Sequence, residues 1–239
     1  VWNSAVENIV RQQSFLFNRA YMEYHSDRFK DASLMITDVQ GKVLALFPAN
    51  ICRTDEHRVE SHGGLTYGGL LMSPHLTARL TGEVFDALLA FYREHGFDSI
   101  VYKPIPYIYC SYPCQEDLYW LFRKNATLLS RQISSVIDLA QPYPLSTLRK
   151  RKVKKAEKLA CLRMEFGKQH LKAYWQILNA VLQSRHDTLP VHTLEEMELL
   201  MQRFPRNIQL AVCVDHVNNE VLAGCLLYIT QHVVHAQYI

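Results

Sequence analysis

The sequence lacks the short motifs that mark several common catalytic and metal sites. It contains no Gly-x-Ser-x-Gly nucleophile elbow, no His-Glu-x-x-His pair and no Cys-x-x-Cys pair. Its six cysteines are scattered, and Cys110-x-x-x-Cys114 has no second pair that would complete a zinc site. Hydrolase and metalloenzyme functions are therefore disfavoured, and no metal is expected.

Long apolar runs and targeting signals are also missing. No stretch approaches the ~18 uninterrupted apolar residues of a membrane-spanning helix, and the first residues do not form a signal-peptide pattern. Hydrophobic residues make up 49% of the chain and charged residues 21%, the balance of a soluble globular protein with a sizeable core. We therefore expect a cytoplasmic, reduced protein without a membrane span; the oligomeric state is not indicated.

Apolar periodicity predicts a mixed α/β (α+β) fold. Residues 33–38 and 42–47 form a hairpin with its turn at Gly41, and apolar positions at helical spacing predict a helix over 81–94. The remaining elements follow from the same patterns. Predicted helices cover 2–10, 116–124, 147–159, 170–184 and 194–204; predicted strands cover 99–102, 130–139, 162–166, 207–214, 220–230 and 233–239; residues 53–60 form a polar loop.

Two prolines, Pro142 and Pro144, predict a boundary between two domains. The first domain spans 1–140 and the second 145–239. Both halves combine helices with an antiparallel hairpin and a further strand. The second half ends on a strand with no element after it, so we expect this domain to be incomplete at its C-terminus.

The second predicted domain begins with a strongly basic run. Seven of the chain's 26 Lys and Arg residues occupy the ten positions 149–158, with Glu157 as the single acid. One interpretation is a surface for a polyanion such as nucleic acid. The other is a helix, capped by Ser146, that docks through the apolar residues Leu148 and Val153 and presents its cations to solvent.

Glycine is concentrated in one block. Residues 61–69 (Ser-His-Gly-Gly-Leu-Thr-Tyr-Gly-Gly) hold four of the nine glycines. Glycine amides can cradle an anion, although the block is neither a Walker loop nor a Gly-x-Gly-x-x-Gly fingerprint. Relief of crowding at a bend explains it equally well. His62 and Tyr67 are the titratable side chains of this block.

Two further stretches carry candidate site residues. Lys103 and Tyr109 lie in a proline-containing turn after a predicted strand, where α/β folds place ligand-contacting loops. Arg185, His186 and His192 lie at the end of a predicted helix and in the loop after it. Packing of the first loop on the core and solvation of the second are the alternatives.

Four blocks together resemble the FemAB-like branch of the GNAT acyltransferase superfamily. They are the stretch 15–47, the glycine block 61–69, the Lys-Pro-Ile-Pro turn at 103–106 and the basic helix starting at Leu148. The resemblance covers nearly the whole chain. It implies two GNAT-like domains in tandem, each with a mixed, mostly antiparallel sheet flanked by helices, the second apparently truncated.

The resemblance also implies acyl transfer to an amine. Acetyl-CoA or another acyl-CoA is the donor in most of the superfamily, which makes N-acyltransfer from acyl-CoA the first expectation. Aminoacyl-tRNA is the donor in the Fem branch, whose acceptors would be amine-bearing small molecules or peptidoglycan or polysaccharide precursors. The third alternative is a non-catalytic polyanion-binding module that uses the basic helix 147–159.

The sequence departs from the superfamily at the loop that binds the CoA pyrophosphate. The matching segment of the first half, residues 72–82, contains Gly82 alone, so this domain looks degenerate for CoA. The matching loop of the second half would follow Ile239. No cofactor-binding residue can therefore be assigned.

From the polarity and position of the candidate residues, we expect a site in a cleft between the two domains. His62 and Tyr67 are the candidates for proton transfer or substrate contact, and Lys103 and Arg149 for anion binding. Tyr109 would also contact the substrate. Side chains of the second half would line the opposite wall, namely Arg185, His186 and His192.

Overall fold

The computed structural model describes residues 1–239, which divide into two compact units. Unit 1 comprises residues 1–126, 199–208 and 228–235, and unit 2 comprises 127–198, 209–227 and 236–239. Helices and small sheets alternate in both, which confirms the predicted α+β class. The sequence-contiguous domains 1–140 and 145–239 stay a prediction.

Unit 1 contains two three-stranded sheets. One has the order β1-β2-β5 and the other β3-β4-β6. Their strands are β1 (Leu34–Thr37), β2 (Val43–Phe47), β3 (Asn50–Cys52), β4 (Asp55–Glu60), β5 (Leu71–Met72) and β6 (Ser99–Val101). Strands β4 and β6 run parallel, and the other pairs are antiparallel. The predicted hairpin is confirmed: Leu34 pairs with Phe47, and Gly41 takes a φ of 82° in the turn.

The long helix of unit 1 covers the core with its apolar face. The unit's helices are α1 (Trp2–Asn8), α2 (Arg19–Met22), α3 (Ala78–Glu94) and α4 (Glu116–Arg123). The Thr77 side chain caps α3 at its start, and Gly96 follows its end with a φ of 83°. The buried face consists of residues at helical spacing, among them Val84, Phe85, Leu88 and Tyr92.

An aromatic cluster joins distant segments of unit 1. The Phe15 ring lies 5.4 Å from that of Phe204 and 5.3 Å from that of Tyr228. The hydroxyls of Tyr21 and Tyr228 are 3.0 Å apart and share a buried hydrogen bond. Segments separated by about 200 residues therefore form one core.

Residues 147–238 form a four-stranded sheet with helices. The sheet order is β10-β9-β8-β7, and β7 pairs antiparallel with β8. The elements of this range are α5 (Thr147–Glu157), β7 (Leu162–Phe166), α6 (Leu171–His186), α7 (Leu194–Arg203), β8 (Ile208–Asp215), β9 (Glu220–Ile229) and β10 (Val234–Tyr238). Most of these residues belong to unit 2, while 199–208, 228–229 and 234–235 belong to unit 1. Tyr174 of α6 packs so closely on Gly224 of β9 that a Cβ there would lie 2.6 Å from its ring.

Two predictions about individual elements are wrong. Residues 53–60 were expected to form a polar loop, yet β4 occupies 55–60, because strand pairing on both sides compensates for having only Val59 buried. Residues 130–139 were expected to form a strand, yet they form none, and Ile133 is 97% exposed. Apolar residues without a neighbouring strand gain no ladder of hydrogen bonds.

None of the helices combines the length and the apolar character needed to cross a membrane.

Candidate functional site

The glycine block forms a tight loop at the end of β4 in unit 1. The Ser61 amide donates to the Val101 carbonyl at 2.8 Å, and the Ser61 hydroxyl accepts from the Lys103 amide at 2.6 Å. His62 then adopts a φ of 43°, a left-handed conformation that is uncommon outside glycine. The chain reverses there, and the Leu65 amide donates back to the His62 carbonyl at 3.1 Å.

The glycines of the loop relieve crowding. A Cβ at Gly68 would overlap the Ser61 carbonyl oxygen, and one at Gly64 would overlap the His25 ring. Gly69 has a φ of 84° and would place a Cβ 3.0 Å from the Tyr102 hydroxyl. Close packing thus accounts for glycine at these three positions, as the second sequence interpretation predicts.

His62 is buried against a second histidine. It is 2% exposed, and its ring stacks on that of His25 with centroids 5.3 Å apart. His25 Nε2 lies 3.2 Å from the Gly64 carbonyl, which fixes this ring beneath the loop. Burial, followed by the charge of His25, lowers the pKa of His62 to about 3. His62 is therefore a neutral imidazole at physiological pH.

Tyr67 points into the core of unit 1. Its hydroxyl lies 3.1 Å from the Ser14 hydroxyl, and its ring packs 4.4 Å from that of Tyr109. Burial raises the pKa of Tyr67, so its phenol keeps its proton. The structure therefore brings the predicted residues Tyr67 and Tyr109 into direct contact.

Lys103 is bound to the same loop. Its Nζ donates to the Leu65 carbonyl at 2.9 Å, while its backbone amide binds the Ser61 hydroxyl. Partial burial lowers the pKa of Lys103, and Glu60 opposes this shift by favouring the charged form. A cation is thus held on the loop, where its charge acts on His62.

A partly buried chain of hydrogen bonds supports the loop. The Leu70 amide donates to the Tyr102 hydroxyl at 2.7 Å, and that hydroxyl donates to Asp117 Oδ2 at 2.7 Å. Burial raises the pKa of Asp117, and burial also raises that of Tyr102. The chain anchors the end of the glycine block to α4.

Several residues of this site were not predicted from the sequence. His25 and Asp117 lie below the loop, and the Asn50 side chain accepts from the Gly63 amide at 2.6 Å. Ser14 contacts Tyr67 across 53 positions. These partners stand alone in aromatic or apolar stretches, so no local spacing pattern indicates them. The clustering of glycine was the only available signal.

The predicted residues of unit 2 do not form one cluster. Arg185 and His186 end α6 and are exposed. His192 is buried instead, where its Nδ1 lies 2.6 Å from the Tyr238 hydroxyl. The Tyr238 ring in turn packs 5.6 Å from Trp175. His192 therefore ties the loop after α6 to β10.

Helix α5 carries Arg149 and the rest of the basic run. The Ser146 side chain caps the helix by accepting from the Arg149 amide at 3.3 Å, as predicted. The predicted docking of the apolar stripe is wrong, because no residue of α5 is buried and Leu148 remains 64% exposed. The spacing of five between Leu148 and Val153 leaves no continuous apolar face to dock. All seven cations face solvent.

The surface of unit 1 also contains a shallow depression of ≈ 370 Å³. Four residues line it: Tyr107, Pro113, Cys114 and Gln115. No group of three or more His, Cys, Asp or Glu side chains has an arrangement that could hold a metal ion.

Comparison with known proteins shows a relationship of fold. The sequence matches no protein-family profile and no curated protein. The structure is similar to the crystal structure of FemX, with a TM-score of 0.55 and 11% sequence identity. The match covers 89% of this chain and 55% of FemX, so the chain spans about half the length of that protein. The chain therefore shares the α+β fold of FemX.

Proposed function

We propose that this chain is part of a FemAB-type aminoacyltransferase, which transfers an aminoacyl group from aminoacyl-tRNA to an amine. The observation that carries the proposal is a fully exposed basic helix, α5, within a fold shared with FemX. The tandem GNAT-like domains, 1–140 and 145–239, belong to the same proposal. The acceptor would be an amine of a peptidoglycan precursor.

Helix α5 fits a nucleic-acid donor better than it fits a structural role. A helix that supports a core buries one face, whereas α5 buries none of its residues. Its seven cations and single acid between 149 and 158 create a strongly positive surface. Such a surface attracts the phosphates of tRNA and releases their counterions. We assign Arg149 to this surface.

Aminoacyl transfer to an amine requires three functions of the protein around the reacting carbonyl. An amine attacks the ester carbonyl of the donor, a base takes the ammonium proton, hydrogen-bond donors stabilise the oxyanion, and an acid protonates the leaving oxygen. Lys103, which donates to the loop 61–69, supplies a cation of suitable kind for the oxyanion, whereas Tyr67 is buried in the core of unit 1 and keeps its proton. The low pKa of His62 suits a neutral hydrogen-bonding partner better than a base working near pH 7.

A salt titration tests the proposal. The equilibrium constant for binding an aminoacylated tRNA should fall steeply as the salt concentration rises. A variant with Arg149→Gln, Lys150→Gln, Lys152→Gln and Lys154→Gln should reduce the slope of log K against log salt concentration by about 3, since each lost phosphate contact contributes about 0.7–0.9. Fluorescence anisotropy with labelled tRNA measures both quantities.

The matched control removes four cations elsewhere. Lys42, Arg53, Arg93 and Lys172 are exposed and lie outside α5. Their joint replacement by Gln changes the net charge by the same amount as the α5 variant. Because it keeps every cation of α5, it should leave the slope nearly unchanged. Equal slopes for the two variants would show that net charge, and not α5, governs binding, which would overturn the assignment.

A thermal-shift measurement distinguishes the donors. If acetyl-CoA or another acyl-CoA is the donor, it should raise the Tm of the chain by mass action, whereas tRNA should not. A rise in Tm with acetyl-CoA would indicate acyl-CoA, and not aminoacyl-tRNA, as the donor. If the chain binds tRNA but transfers no aminoacyl group to any amine, polyanion binding would be the only one of the proposed functions that remains.

A further inference from the structure

We propose that strand β7 is an interface between two copies of this chain, which pair edge to edge about a two-fold axis at Met164. β7 is the terminal strand of the sheet β10-β9-β8-β7, so only one of its two edges has a neighbouring strand. A second β7 on the open edge would join the sheets of the two copies into one. The strand lies in unit 2, and the interface does not depend on the proposed aminoacyl transfer.

The backbone of β7 shows which residues offer hydrogen bonds at the open edge. The His216 amide donates to the Cys161 carbonyl at 2.9 Å, and the Gly167 amide donates to the Leu210 carbonyl at 3.1 Å. In an antiparallel ladder, every second residue directs both of its backbone groups to the same neighbouring strand. The odd-numbered residues of this stretch therefore point to β8, and the even-numbered residues, with Met164 at the centre, point to the open edge.

Charge selects one register for the pairing of two β7 strands. Two-fold axes at residues 163, 164 and 165 all bring even-numbered residues opposite one another, as backbone hydrogen bonding requires. An axis at Arg163 sets two guanidinium groups opposite each other, and an axis at Glu165 sets two carboxylates opposite each other. The axis at Met164 instead places each Arg163 opposite the partner's Glu165. Opposite charges stabilise a cross-strand pair and like charges destabilise it, so the strand is self-complementary in this register.

The Glu165 carboxylate is already held in place for this ion pair. Its Oε2 lies 2.8 Å from His170 Nε2, and its Oε1 lies 2.8 Å from His216 Nε2. Each carboxylate oxygen has two acceptor positions, so both can accept a further hydrogen bond from the partner's Arg163. Because Glu165 is already ordered, it loses little conformational freedom when the two copies associate.

The other face of β7 supplies apolar contact. Met164 is 65% exposed and Phe166 is 62% exposed, and alternate residues of a strand share a face. Residues directly opposite each other in an antiparallel pair also share a face. The axis at Met164 therefore packs this side chain on the partner's Met164, and Phe166 on the partner's Leu162. Association removes this apolar surface from water.

The length of β7 limits the affinity. A stable interface buries about 800 Å² on each partner, and a strand of five residues offers less. We therefore expect a reversible dimer with a Kd above about 1 µM. Each copy has one open β7 edge, and a two-fold contact uses both of the edges that meet, so association through β7 stops at the dimer.

Sedimentation velocity of the full chain over about 1–500 µM tests the proposal. We expect a monomer–dimer equilibrium. Arg163→Glu sets a carboxylate opposite the partner's Glu165 at two places, and it should raise the Kd at least about tenfold. Met164→Lys sets two cations against each other at the axis and should have an effect of similar size.

The matched control is Met35→Lys on β1. This strand is also terminal in its sheet, and Met35 is 41% exposed, but the sequence Leu-Met-Ile-Thr carries no charge that would select a register. Met35→Lys should leave the Kd within about twofold of the original value. A chain that stays monomeric over the whole range, or equal effects of Met35→Lys and Met164→Lys, would overturn the proposal.

A mixing experiment tests the charge pairing directly. Arg163→Glu alone and Glu165→Arg alone each set like charges opposite each other, whereas an equimolar mixture pairs an acidic strand with a basic one. The mixture should therefore recover the dimer that each variant loses. Failure of two folded variants to associate when mixed would contradict the register. Arg163 and Met164 are exposed, so their variants keep the proposal testable if Glu165→Arg does not fold.

Cysteine cross-linking tests the position of the axis. The Cα atoms of a hydrogen-bonded antiparallel pair lie about 5.5 Å apart, which is within reach of a disulfide. Met164→Cys should therefore form a disulfide between two copies, whereas Arg163→Cys should not. Both are made together with Cys213→Ser, because Cys213 pairs with Met164 across β8. Mass spectrometry identifies the linked residues, and a link through Arg163→Cys but not through Met164→Cys would overturn the proposed axis.

Discussion

The loop 61–69 and helix α5 both combine residue types that suggest function, yet they use them in opposite ways. In the loop, His62 and Tyr67 are almost completely buried, and hydrogen bonds fix the backbone on both sides. In α5 no side chain is buried, and the cations meet only solvent. A dense cluster of titratable residues therefore marks a packed structure in one case and a free surface in the other.

The difference predicts that substitutions will separate stability from binding. Changes in the loop should alter the free energy of unfolding strongly. Changes in α5 should alter it hardly at all, while they change the affinity for a polyanion.

The largest effect is expected at Gly68. The variant Gly68→Ala drives a methyl group into the Ser61 carbonyl, which is backbone and cannot move aside. We expect a loss of about 3 kcal/mol or more in the free energy of unfolding, measured by urea denaturation. Gly41→Ala is the control: it has a positive φ but open space around it, so its cost should be about 1 kcal/mol. Equal costs at the two positions would show that crowding does not constrain the loop.

The next effect concerns the hydrogen-bond chain under the loop. Tyr102→Phe removes the hydroxyl that accepts from Leu70 and donates to Asp117. We expect a loss of about 2 kcal/mol in the free energy of unfolding, because a backbone amide and a carboxyl lose their partner in a partly buried setting. The variant Tyr119→Phe, on the exposed side of α4, should cost less than about 0.5 kcal/mol. If the two variants are equally stable, the hydrogen bonds of Tyr102 do not support the loop.

A smaller, pH-dependent effect is expected at His62. Burial lowers the pKa of His62 to about 3 in the folded state, against an ordinary histidine value of about 6.5. As the pH falls below 6.5, the unfolded chain takes up a proton before the folded chain does. The free energy of unfolding should therefore decrease, by about 1 kcal/mol per pH unit, as the pH falls from 6.5 towards 3. Above pH 6.5, His62 should contribute no pH dependence.

The variant His62→Asn isolates that effect, because Asn tolerates the positive φ at this position. Its stability should depend less on pH between 6 and 4 than that of the unaltered chain. The exposed His186→Gln variant should keep the original dependence. An unchanged slope in His62→Asn would mean that His62 is not the proton acceptor of the unfolded state.

The smallest effect on stability is expected for the fourfold replacement in α5. Because none of its side chains is buried, the free energy of unfolding should stay within about 0.5 kcal/mol of the original value. A large loss would show that α5 packs against other parts of the protein, and the contrast with the loop would then fail.

Much of the fold could be predicted because most elements have regular patterns. The helix α3 and the hairpin β1–β2 follow from apolar periodicity, and their ends follow from Gly41 and Gly96. Strand β4 could not be predicted, since its sequence Asp-Glu-His-Arg-Val-Glu buries only Val59 and shows no alternation. Residues 130–139 have the composition of a strand but no partner strand, and composition alone does not show pairing.

The site was predictable only where its residues are close in sequence. His62 and Tyr67 share the glycine block, and Lys103 and Tyr109 share the turn after β6, so both pairs could be proposed together. The structure adds that these two segments meet, through the bonds of Lys103 to Ser61 and Leu65. The partner His25 and the role of His192 depend on tertiary contacts, which no spacing in the sequence indicates.

The bond between Tyr21 and Tyr228 has a consequence for the order in which the protein can form. Unit 1 needs residues 199–208 and 228–235 in addition to its first 126 residues. During synthesis at about 5–20 residues per second, the nascent chain would wait on the order of ten seconds between the emergence of these two parts. Through that interval the rings of Phe15 and Tyr21 have no aromatic cover from Phe204 and Tyr228. Unit 1 is therefore completed only after residue 235 has been synthesised, and a chaperone that shields apolar surface in the meantime would find its target in residues 15–25.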